Sequence, residues 1–68
     1  MVLIFGKDGC PYTQAARDHY AEAHIAFEYV NVRKNPPELD RMLVHSKGIR
    51  RVPVIVDHDK VTIGFGGT

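Results

Sequence analysis

The 68 residues hold a single cysteine, and its neighbours are those that make sulfur reactive. Cys10 lies in Lys7-Asp8-Gly9-Cys10-Pro11-Tyr12-Thr13, between the apolar run Val2-Leu3-Ile4-Phe5 and an alanine-rich segment beginning at Pro11. Proline at a first helical position has its φ pre-set and lacks the N–H that a helix start leaves unpaired, which puts Cys10 at the N-cap. There its sulfur faces unpaired backbone N–H groups. Those donors, the positive end of the helix dipole and Lys7 three residues upstream all favour thiolate over thiol, predicting a pKa below the free value of about 8.5. Cys10 is therefore read as a nucleophile rather than as a small buried hydrophobe. Thr13, at N3, is either an ordinary helix residue or a hydroxyl donor to the thiolate, and the sequence leaves both open.

Size and composition restrict what can surround this thiol. A chain of 68 residues makes one small domain, 1–68, which by size buries only about 60% of the surface its unfolded chain exposes. With one cysteine there is no intramolecular disulfide, so a secreted disulfide scaffold is excluded and a reducing cytoplasm is the natural compartment. No basic segment precedes a long apolar stretch, and no apolar run approaches the roughly 20 residues that span a bilayer, so neither export nor membrane association is expected. The net charge of +1 comes from interspersed signs. Arg33-Lys34 and Arg50-Arg51 are the only basic pairs, too few for a nucleic-acid footprint. His19 and His24 lie about 140° apart around a helix, and neither His45 nor His58 pairs with them, so no metal is expected.

The elements that must hold the thiol read in order. Met1 to Phe5 is continuous apolar, as in a central strand covered on both faces. From Pro11 to about Ala23 the chain has high helix propensity, with Tyr12, Ala16, Tyr20 and Ala23 predicted along one face. Phe27 to Val32, aromatic and β-branched, predicts a second strand parallel to the first, since a helix joins them. Asn35 is a candidate cap for a second helix that starts with Pro36-Pro37, carries Leu39, Met42 and Leu43, and stops near Gly48. Val52 to Val56 and Lys60 to Ile63 flank Asp57-His58-Asp59, predicting an antiparallel hairpin. The order β-α-β-α-β-β implies an α/β domain with a mixed four-stranded sheet covered by both helices. Phe65, near the end, either packs back on the sheet or meets a second protomer.

Three features coincide: the Lys7–Thr13 motif after the first strand, Arg51-Val52-Pro53 before the third, and the Gly-rich Gly64-Phe65-Gly66-Gly67-Thr68 after the fourth. In this order and spacing the chain resembles the glutaredoxins. It is most similar to small bacterial glutaredoxin-like proteins, some of which carry selenocysteine at the position of Cys10 and end in a similar Gly-Phe-Gly-Gly segment. The resemblance implies a thioredoxin fold without its C-terminal helix, a cis Val52–Pro53 peptide beside the nucleophile, and a glutathione site. Lys7 and Arg50 match positions that hold the glycine carboxylate of glutathione. Tyr12 matches one wall of the groove, and Val52 the backbone that pairs with the bound peptide. Thr13, Arg51 and Pro53 belong to the same motifs, and Gly66 and Gly67 match an anion-binding nest for the γ-glutamyl carboxylate.

Thr13 stands where dithiol glutaredoxins have a second cysteine, which leaves a monothiol cycle with glutathione as co-substrate and resolving thiol. The expected partners are glutathione and glutathionylated or disulfide-containing proteins, with monomer preferred over dimer. Lowering the pKa from about 8.5 to about 5 raises the thiolate fraction at pH 7 roughly 30-fold, while a Brønsted slope of about 0.5 lowers nucleophilicity roughly 50-fold. The two nearly cancel, so acidity matters most when Cys10 is the leaving group. The alternative is a [2Fe–2S] carrier, with Cys10 from two protomers and two glutathiones supplying four thiolates. Carriers of this kind have Gly-Phe-Ser after the cysteine and an insertion before it; Pro11-Tyr12-Thr13 and the short Asp8-Gly9 spacing favour the enzyme.

Overall fold

The computed structural model describes residues 1–66. Its elements are β1 (Val2–Gly6), α1 (Pro11–Glu22), β2 (Phe27–Asn31), α2 (Pro36–Ser46), β3 (Val54–Asp57) and β4 (Lys60–Ile63). They form one sheet in the order β2-β1-β3-β4. β1 runs parallel to β2 and antiparallel to β3, and β4 returns antiparallel along β3. This is the mixed four-stranded sheet that the order of elements implied.

Alternation along β1 sends its side chains into two separate cores. Val2 and Ile4 join Ile55 and Ala16 of α1 on one face. Phe5 joins Val30, Val54 and Met42 of α2 on the other. The helices therefore cover opposite faces, which is why the first strand reads as continuous apolar sequence. Phe65 packs on the α1 side beside Tyr20 and Phe27, its ring 5.4 Å from that of His19. Phe65 thus takes one of its two expected placements, packing back on the sheet.

Several local expectations shift. The buried residues of α1 are Thr13 and Ala16, with Tyr20 half-buried, while Tyr12 and Ala23 are exposed. The helix is thus rotated so that Thr13, not Tyr12, meets the sheet. The cause lies at Gly6, whose missing side chain leaves the space that Thr13 fills. Asn35 is the N-cap residue of α2 but makes no side-chain cap; its amide donates instead to the Asn31 carbonyl at 3.2 Å. α2 ends at Ser46, ahead of Gly48, because Lys47 already turns left-handed at φ 58° and Ser46 Oγ donates to the Ile49 carbonyl at 2.8 Å. β2 stops at Asn31, and β3 starts at Val54 rather than Val52. Proline has no N–H for a ladder, so Pro53 stays outside β3. Its carbonyl accepts from Gly64 N–H at 2.7 Å, which ties the end of β4 to the Val52–Pro53 turn. Among the described residues no helix is long and apolar enough to cross a membrane.

Candidate active site

Cys10 sits where β1 gives way to α1. Its backbone is extended (φ −87°, ψ 116°), with Pro11 opening the helix, and its carbonyl accepts the first helical hydrogen bond, from Gln14 N–H at 3.0 Å. The thiol is half-buried and free. Its pKa lies below the ordinary cysteine value, and the Thr13 hydroxyl is the largest cause. Burial opposes the shift; the N–H groups of Thr13 and Tyr12 and then the Lys7 charge add to it. The helix N-terminus and Lys7 thus act in the expected direction, but the side chain three residues on outweighs both.

Thr13 is 1% exposed, and its Oγ1 has no conventional hydrogen-bond partner among the described residues. Cys10 likewise makes no side-chain cap as a neutral thiol. This absence of a formed bond stands against the large favourable influence of the same hydroxyl on the thiolate. The two are reconciled by charge: a neutral thiol is a poor acceptor, whereas a thiolate draws a charge-assisted bond of roughly twice the strength. We take the Thr13 hydroxyl as a donor that Cys10 satisfies when it ionises.

Lys7, whose charge acts on Cys10, also lines a groove of ≈ 430 Å³ together with Arg33, Arg50, Val32, Leu39, Met42 and Val52. The Val52–Pro53 peptide is cis. Neither the N–H nor the C=O of Val52 has a hydrogen-bond partner among the described residues. Lys7, Arg50 and Val52 are thus brought together. Tyr12, 40% exposed, and the exposed Arg51 do not line this groove. Pro53 is buried and Gly66 exposed, Gly66 having a left-handed φ of 66°. Gly67 lies outside the described residues.

Asp8, two residues before Cys10, receives the Tyr29 hydroxyl at 2.8 Å and pairs with Lys34 at 3.4 Å. The Arg17 guanidinium stands 4.0 Å from the Tyr29 ring centroid. Tyr29, with Lys34 and Arg17 assisting, holds the Asp8 carboxyl below its ordinary range. Burial first, and the Asp8 bond and charge next, push Tyr29 up to about 12. The sequence reading missed this cluster and Arg33. A signal existed, because parallel β1 and β2 deliver the segments after both strands to the same sheet edge. Among the described residues no group of three or more His, Cys, Asp or Glu is placed to hold a metal.

A glutaredoxin family model matches residues 2–61. The glutaredoxin-like protein NrdH of Lactococcus lactis subsp. lactis is 28% identical over 65 residues, covering 96% of this chain and 88% of that protein. Its counterpart in L. lactis subsp. cremoris gives the same values. The glutaredoxin of Archaeoglobus fulgidus superposes with a TM-score of 0.86 at 24% identity, covering 96% of this chain and 75% of that one. The Escherichia coli NrdH-redoxin, described as glutaredoxin-like with a thioredoxin-like activity profile, gives 0.83 at 23% identity, covering 96% and 83%. The cysteine at the start of α1, the cis Val52–Pro53 peptide and the family match across nearly the whole chain agree: the chain belongs to the glutaredoxin family of thiol oxidoreductases.

Proposed function

We propose that the protein reduces glutathione mixed disulfides by a monothiol cycle through Cys10. The observation that carries this reading is Thr13, a buried hydroxyl in the place where a resolving thiol would stand. The Cys10 thiolate attacks the glutathione sulfur of a protein–glutathione disulfide. That S–S bond breaks, the protein leaves as thiolate and takes a proton from water, and Cys10 carries the glutathione. A second glutathione thiolate then attacks the glutathione sulfur bound to Cys10. This expels the Cys10 thiolate and yields oxidised glutathione, two electrons having passed to the protein substrate. The Thr13 hydroxyl and the N–H groups of α1 stabilise Cys10 as it leaves, which is where a lowered pKa speeds the reaction.

Glutathione is positioned with its glycine carboxylate toward Lys7 and Arg50. Its backbone pairs with the free N–H and C=O of Val52 as a short added strand. Gly66 and Gly67 are proposed as the nest for the γ-glutamyl carboxylate. The deciding experiment is glutathione-dependent reduction of a glutathionylated peptide by the wild type and by Cys10→Ser across pH. Saturable turnover that requires Cys10 and follows a thiolate pKa below about 8.5 supports the cycle. No turnover, with a brown dimeric protein forming in the presence of glutathione and iron, would replace it with the cluster-carrier reading.

A further inference from the structure

The glycine end of glutathione offers a single carboxylate, yet the groove beside Val52 gathers three cations, Lys7, Arg33 and Arg50, and no acidic side chain lines it. Among the described residues none of the three has an ion-pair partner, since the recorded pairs join Lys34 to Asp8, Arg41 to Glu38 and His58 to Asp57. Like charges around one concavity repel each other and focus a positive field into it. The floor between them is apolar, formed by Val32, Leu39 and Met42. Val52 also lines the groove, and its backbone N–H and C=O are free among the described residues.

From this arrangement we infer that the groove takes an extended acidic peptide segment bearing the disulfide. Its backbone pairs with Val52, an apolar side chain rests on the half-buried Leu39, and carboxylates meet Lys7 with Arg50 and, separately, Arg33. Charge complementarity selects this occupant over a basic or neutral peptide, and the free N–H and C=O of Val52 suit an extended one. Lys7, which also acts on Cys10, links the groove to the sulfur. The inference rests on the proposed function only in taking Cys10 as the nucleophile. Arg33 is here a specificity residue, contacting the peptide rather than the reacting sulfurs.

A single-turnover reaction without glutathione tests it. The substrates are 2-pyridyl disulfides of acetyl-Cys-Leu-Glu-Glu-amide, of its Gln-Gln and Lys-Lys counterparts, and of the uncharged N-acetylcysteinamide. The Cys10 thiolate attacks the peptide sulfur, the S–S bond breaks, and pyridine-2-thiolate leaves and takes a proton to become the absorbing thione. The acidic peptide is expected to react about tenfold faster than the Gln-Gln one, with the Lys-Lys peptide slowest. The preference should shrink in about 0.5 M salt. Arg33→Gln should remove most of it while leaving the N-acetylcysteinamide rate within about twofold of wild type. Equal rates for the three peptides overturn the inference, as does an Arg33→Gln variant that slows every substrate alike. Because no glutathione is added, failure of the glutathione cycle would leave this result readable.

Discussion

Tyr29 donates its hydroxyl to Asp8 Oδ1 across 2.8 Å, so a side chain of β2 holds the loop that carries Cys10. Asp8 sits two residues before Cys10, where a free carboxylate would oppose ionisation of the thiol. Tyr29, Lys34 and Arg17 all favour the Asp8 charge, Tyr29 from β2 and Arg17 from α1.

Tyr29→Phe should therefore raise the Asp8 carboxyl pKa toward the usual range, as followed by NMR titration. Asp8 is depressed in the folded state, so its contribution to stability is present above the unfolded value of about 3.9 and is lost as pH falls through the folded value. Tyr29 works at the other end of the scale. Its folded pKa of about 12 makes its contribution complete below the unfolded value of about 10 and lost as pH rises through the folded one. In Tyr29→Phe both dependences should flatten. An unchanged acid limb would show that the Asp8 bond is not made in solution.

Thr13→Val keeps the shape of the side chain and deletes the hydroxyl that most lowers the Cys10 pKa. The thiol should titrate higher by pH-dependent alkylation, and Thr13→Ser should restore it. The glutathione-dependent half-reaction should slow by about threefold for each unit the pKa rises, through poorer departure of Cys10. Because Cys10 is depressed when folded, its contribution to stability is present above the unfolded value of about 8.5 and lost as pH falls through the folded pKa. Wild type should accordingly gain Tm with pH across that window, while Cys10→Ser should not.

Gly6→Ala would drive a methyl group into the Thr13 side chain, whose Oγ1 lies 2.7 Å from the new Cβ and whose Cγ2 lies closer still. Overpacking of this kind costs about 1–3 kcal/mol, to be read from denaturant unfolding. The same variant should raise the Cys10 pKa by displacing the Thr13 hydroxyl. Adding Thr13→Ala should recover part of the stability but not the pKa, a non-additivity that only neighbours in contact show.

Much of this arrangement is readable from local sequence. The apolar run at β1, Pro11 behind Cys10 and the turn at His58-Asp59 each constrain the backbone within a few residues, and the element order and the N-cap position of Cys10 follow from them. What escapes the sequence depends on contacts between distant segments. Which face of α1 meets the sheet is decided by Gly6 making room for Thr13, so the alanine pattern alone points to Tyr12. Asp8 and Tyr29 are 21 residues apart, and Arg33 reaches the groove only because β1 and β2 lie parallel. Asn35 has the right type for a cap, but the Asn31 carbonyl takes its amide first.

Cys10 has two duties, and different atoms perform them. The carbonyl starts α1 by accepting from Gln14, while the sulfur makes no capping bond. Attaching a substrate to that sulfur therefore removes no hydrogen bond on which the helix depends. The Gln14 bond that opens α1 is the same whether the sulfur is free or linked, and only the part of the stability that comes from the ionised thiol would change with the state of Cys10.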